Sequence, residues 1–172
     1  MASDLALGLR LGLFEPEQYR EKKEHSHREL FLDYGKESTE KEAWIQEAVE
    51  LMRGVCFARH LVNRPGNMLT PALFAEALLQ EADGFPVEVE ILDETQIQSL
   101  GMEALLSVGN SSAHPPRLII LRYTGDPASG ERYGYIGKGV TCDTGGYCLK
   151  PAASMMGIKG DMAGAAAAAG AI

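Results

Sequence analysis

The residues best suited to chemistry crowd into one short stretch. Gly137-Lys138-Gly139-Val140-Thr141-Cys142-Asp143-Thr144-Gly145-Gly146 leaves an apolar run and enters a glycine-rich turn; Lys150-Pro151 follows, and Lys159-Gly160-Asp161-Met162 opens an alanine-rich tail. Glycines there let the backbone approach a ligand without Cβ clashes. Lys138, Asp143, Lys150 and Asp161 stand in an otherwise charge-poor segment, where charges are costly unless paired or bound to metal. Three readings compete. A phosphate loop is weakly supported, because Gly139 follows Lys138 where Ser or Thr is needed, and the Gly-x-Gly lacks the dinucleotide fingerprint. Asp143 and Asp161 could simply pair with Lys138 and Lys150 or cap turns. In a hard-metal site, the Asp oxygens bind divalent cations and a desolvated lysine serves as a neutral amine ligand. Spacing alone leaves these readings open.

The elements that must position this stretch are readable upstream. Thr39-Glu40-Lys41-Glu42 forms a capping box, and Ile45, Val49, Met52 and Cys56 follow at helical spacing. A long helix over about 40–62 is predicted, ending at the breaker run Asn63-Arg64-Pro65-Gly66-Asn67. Thr70 caps a second helix with Pro71 in its first position. Val87, Val89 and Ile91 alternate with Glu88 and Glu90, the pattern of a half-wet strand over 86–92. Short helices follow at 93–100 and 102–108, then strands at 117–123 and 132–140, with a further short strand at 29–33. Helices alternating with strands imply an α/β architecture. In such sheets chemistry collects beyond the carboxyl ends of strands, here just after Val140.

The remaining composition narrows the class. The 172 residues are 45% hydrophobic and 23% charged, enough for one core and incompatible with disorder or a disulfide miniprotein. The net charge of −8 has no compensating basic patch, so nucleic-acid and anionic-membrane partners are not expected. Cys56, Cys142 and Cys148 lack CxxC spacing and favour a reducing compartment. The start, Met1 to Phe14, has no basic segment or cleavage site, and no apolar run reaches the roughly 20 residues that span a bilayer. A cytoplasmic location is expected.

Residues 137–172 resemble the signature of the leucyl aminopeptidase family of dinuclear metallopeptidases: GKGVTCDTGG, LKP and KGDMAGAA stand at the family's intervals. The resemblance extends upstream through Val62-Asn63-Arg64-Pro65-Gly66-Asn67 with Leu69-Thr70-Pro71, through Gly101-Met102, Val108-Gly109 and Pro115-Pro116-Arg117, and through Gly8-Leu9 to Tyr19-Arg20. It implies helices packed on a mixed, largely parallel sheet, as in the N-terminal half of the family's catalytic domain. Residues 1–38 would be the end of an N-terminal domain, 39–62 a linker helix and 63–172 part of the catalytic α/β domain.

The resemblance also implies roles. Asp143 would bridge two divalent ions, Zn or Mn, with Lys138 and Asp161 completing part of one site. Lys150 would stay cationic and polarise the scissile carbonyl, and Ile158 would face the side chain of an apolar N-terminal residue or serve the core. Implied with them are release of N-terminal amino acids such as leucine from peptides, and a homo-oligomer, a hexamer in the family. Cys142 stands where the family has Phe; a small buried apolar role is expected, ahead of a soft ligand or an oxidation target. The family's two further carboxylate ligands, in an Asp-x-Glu pair downstream, have no counterpart, since no Asp-x-Glu occurs in the sequence. The tail reads as a buried helix, so the chain is expected to be part of something longer. The isolated chain is therefore expected to be catalytically incomplete, at most an assembly or interaction module.

Overall fold

The computed structural model describes residues 2–15 and 39–172. In chain order the elements are α1 (Ala2–Gly12), α2 (Thr39–Asn63), a 3-10 turn (Gly66–Met68), α3 (Pro71–Ala82), β1 (Val87–Leu92), α4 (Glu94–Ser99), α5 (Glu103–Gly109), β2 (Leu118–Tyr123), α6 (Ala152–Met155), a second 3-10 turn (Ile158–Met162) and α7 (Ala163–Gly170). The short strand predicted at 29–33 lies outside the described residues. Helix α1 was not foreseen; Asp4 and Arg10 interrupt its apolar pattern. It packs on α2, where the Arg59 guanidinium stacks 3.9 Å from the Phe14 ring centre and reaches the Leu11 carbonyl at 3.4 Å.

Several helix signals act as read. The Thr70 hydroxyl accepts from the Leu73 amide at 3.3 Å, with Pro71 opening α3. The short helix predicted at 93–100 forms as α4, and it starts with a reciprocal capping box of Asp93 and Gln96 that was not foreseen, each bond 2.9 Å. At α2, Thr39 is the first helical residue rather than the cap, a shift within the ordinary spread of helix ends.

The sheet differs from expectation. Among the described residues it has two strands, and they are antiparallel, pairing Val87 with Tyr123 through Leu92 with Leu118. The expected mixed, largely parallel sheet is not what the described residues form, because the stretch predicted as a strand over 132–140 pairs with neither β1 nor β2. It has the alternation of a strand but leaves Tyr133, Tyr135 and Ile136 exposed, and a strand forms only where a neighbour takes up its ladder hydrogen bonds. Arg122 reaches across the pair to Glu90 at 2.6 Å and Glu88 at 3.6 Å, a solvent-exposed cross-strand pairing of opposite charges.

One apolar cluster joins the helices to the chemical segment. Leu61 of α2, Leu69, Phe74 and Leu78 of α3, and Met162 and Ala166 of the tail pack together, with Phe57, Val62 and Ile119 around them. A smaller cluster of Leu92, Ile97 and Leu106 seats α4 and α5 against the sheet. Helix α7 reaches the core because it is made only of Ala and Gly. At its crossing with α2, a Cβ on Gly54 would lie 2.0 Å from the Gly170 carbonyl oxygen, so only glycine permits that approach. The tail predicted as a buried helix is buried on one face only, with Ala166 fully buried and Ala163 and Ala167 exposed.

Candidate metal centre

Three backbone segments bring the charged residues together. In the first, Gly137 lies so close to α7 that the Lys138 carbonyl accepts the Ala165 amide at 3.0 Å. In the second, the chain turns back sharply after Asp143. The Gly145 amide donates to Asp143 Oδ1 at 2.9 Å, the Lys150 amide to the Thr144 carbonyl at 3.0 Å and the Leu149 amide to the Gly146 carbonyl at 3.0 Å. Gly145 and Gly146 take φ of 78° and 74°, and Tyr147 and Cys148 continue the left-handed run at 51° and 56°. The glycines do this without strain, whereas each of the other two residues stores roughly 1 kcal/mol. Gly145 also makes room: a Cβ there would press to 3.1 Å from Lys150 Cγ. In the third segment, the 3-10 turn 158–162 carries Asp161, with the fully buried Met162 beside it as an anchor.

The result is an alternating row of charges. Lys150 Nζ lies 2.8 Å from Asp143 Oδ2, Lys138 Nζ lies 4.0 Å from the same oxygen, and Lys138 Nζ donates to Asp161 Oδ2. The Lys150 hydrogen bond, helped by the Gly145 amide, holds the Asp143 carboxyl well below the usual carboxylate range, at about 2. A depressed folded-state pKa stabilises the fold above the unfolded value and loses that contribution as pH falls through the folded one. The pairing should therefore erode between roughly pH 4 and pH 2. Carboxyl-carbon NMR of the metal-free chain should place the Asp143 midpoint near 2, and a midpoint near 4 would mean that the Lys150 contact does not form.

All four charged residues singled out from the sequence thus meet at one place. Ile158 joins them through its backbone, its carbonyl lying 3.5 Å from the Asp143 amide, while its side chain is half-buried. Cys142 is exposed rather than buried, and its Sγ lies 4.0 Å from where a Cβ on Gly66 would sit. Alternation along an extended chain turns it away from the side of Asp143. Among the described residues, no three of His, Cys, Asp and Glu converge as a metal-ligating group. One residue with no predicted role proves to be placed by the fold. Lys159 Nζ donates to the Asn63 carbonyl at 2.7 Å and the Val62 carbonyl at 3.4 Å, closing the C-terminus of α2. Its partners are almost a hundred positions away, so spacing carried no signal of them.

Residues 56–172 match the model of the cytosol aminopeptidase family, catalytic domain. The chain belongs to the cytosol aminopeptidase family. It is 46% identical over 125 residues to a probable cytosol aminopeptidase of Geobacter sp. (strain M21), covering 73% of this chain and 26% of the relative. It is 42% identical to a probable cytosol aminopeptidase of Solibacter usitatus (strain Ellin6076), covering 99% of this chain and 36% of that one. Its fold matches the bottromycin maturation enzyme BotP in complex with Mn, with a TM-score of 0.80, 33% identity, and coverage of 99% of this chain and 35% of BotP. The chain thus spans between about a quarter and about a third of the length of these relatives. Its α/β fold corresponds to part of theirs.

Proposed function

We propose that this chain carries the first part of a two-metal aminopeptidase centre, and that the protein releases N-terminal amino acids, leucine and similar ones, from peptides in the cytoplasm. The observation that carries this reading is the convergence of Asp143 and Asp161 on the single ammonium of Lys138. Two carboxylates facing one cation offer hard oxygen donors that suit Mn and that Zn also accepts. Lys138 would join them as a neutral amine, giving up its proton, and Asp143, its second oxygen nearby, would bridge.

Divalent ions held there would acidify the attacking water and polarise the scissile carbonyl. The chain's own residues do the rest. The Lys150 amino group, 2.8 Å from Asp143 Oδ2, would help polarise the scissile carbonyl and stabilise the oxyanion that develops during attack. Asp143 in turn fixes where that amino group sits, and Ile158 would meet the apolar side chain of the substrate's first residue. The same reading assigns residues 1–38 to the end of an N-terminal domain, 39–62 to a linker helix and 63–172 to part of the catalytic domain, with assembly as a homo-oligomer, a hexamer.

Hydrolysis of leucine p-nitroanilide with added Mn, set against Lys150→Ala, tests the activity. Mn-dependent turnover that falls by roughly 100-fold or more in the variant would show activity in the chain itself. Absence of turnover in the wild-type chain, the result expected of it alone, would support its acting as an assembly or interaction module. The lack of any Asp-x-Glu pair among its residues favours that second reading for the chain by itself.

A further inference from the structure

We propose that Lys159 is a positioning residue for the metal centre, acting through the turn that presents Asp161; this rests on the metal-binding reading above. The last carbonyls of a helix have no partner inside it and carry the negative end of its dipole. At the end of α2, the Arg64 amide turns back to the His60 and Leu61 carbonyls, and Lys159 Nζ meets those of Val62 and Asn63. An ammonium with three donors suits that place.

Lys159 stands two residues before Asp161 on the same 3-10 turn, and Met162 just after Asp161 is fully buried against Leu61 and its neighbours. The Asp161 carboxylate is therefore held between a polar anchor on the end of α2 and an apolar anchor in the core. The turn is also tied to the segment of Asp143 by the Asp143 amide to the Ile158 carbonyl, and α7, which continues directly from the turn, is tied to the segment of Lys138 by the Ala165 amide to the Lys138 carbonyl. Release of Lys159 lets the turn pivot about Met162 and carries Asp161 away from Lys138 and Asp143. An arginine keeps donors for both carbonyls; a methionine keeps the stem and loses them.

The test compares the 172-residue chain with Lys159→Met and Lys159→Arg, by Mn titration and by site-resolved amide hydrogen exchange. Lys159→Met should weaken Mn binding about tenfold. It should also speed exchange at the Asp143 and Ala165 amides while the amides of α3 and α4 stay protected, and Lys159→Arg should restore both. Unchanged Mn binding and exchange in Lys159→Met would overturn the proposal, as would a uniform loss of protection through every element, the mark of a purely structural residue. A wild-type chain that takes up no Mn would refute the metal reading separately, and the exchange comparison would still decide the positioning role.

Discussion

Replacing Gly137 with alanine should destabilise the chain by about 3 kcal/mol or more, at the upper end of what overpacking costs. The added Cβ would lie 2.3 Å from Ala165 Cα, 2.5 Å from the Ala165 nitrogen and 2.5 Å from the Gly164 carbonyl oxygen. All three are backbone atoms, so no side chain can rotate away. The segment has to lift off α7, which breaks the bond from the Ala165 amide to the Lys138 carbonyl and moves Lys138 from between the two carboxylates. α7 cannot retreat, since it is already in backbone contact with α2 where Gly54 meets Gly170. For a domain of this size, the loss corresponds to a fall in Tm of roughly 6–12 °C. Gly139→Ala is the matched control: its Cβ would meet Ala165 Cβ at 3.5 Å, an ordinary contact, and its Tm should barely change. Thermal unfolding followed by circular dichroism checks both, and equal Tm values for the two variants would show that α7 does not bear on Gly137 as described.

What could be read from the sequence divides along physical lines. Helices announced by local chemistry lie where the caps and breakers put them, as with α3 behind Thr70-Pro71 and the end of α2 at Asn63. β1 was legible from its alternation and β2 from its run of Leu and Ile. Their pairing was not, because alternation fixes which side chains share a face and says nothing of the neighbour or its direction. The same limit explains the stretch 132–140, whose pattern is that of a strand although its neighbours among the described residues provide no ladder. In the site, residue type and spacing singled out Lys138, Asp143, Lys150 and Asp161, and the structure brings all four together. The roles of Gly137 and Lys159 were hidden, since each depends on a contact distant in sequence, with α7 in one case and the end of α2 in the other.

The second large effect concerns Asp143. It is the only one of the four charged residues that faces both lysines. Asp143→Ala would leave Lys138 and Lys150 sharing Asp161 as the one carboxylate of the group, a local excess of positive charge that repels a dication. It would also remove the donor proposed to bridge, so the loss combines a missing ligand with reversed electrostatics, and metal affinity depends on both. Lys150→Ala, by contrast, removes a cation and leaves every proposed ligand in place, so it should bind Mn at least as well as the wild type. Calorimetric titration of the chain with Mn is therefore the most direct measurement. Saturable binding by the wild type and by Lys150→Ala, absent in Asp143→Ala, is the predicted result; no saturable binding by the wild type, or equal binding by Asp143→Ala, would contradict a metal centre built on Lys138, Asp143 and Asp161.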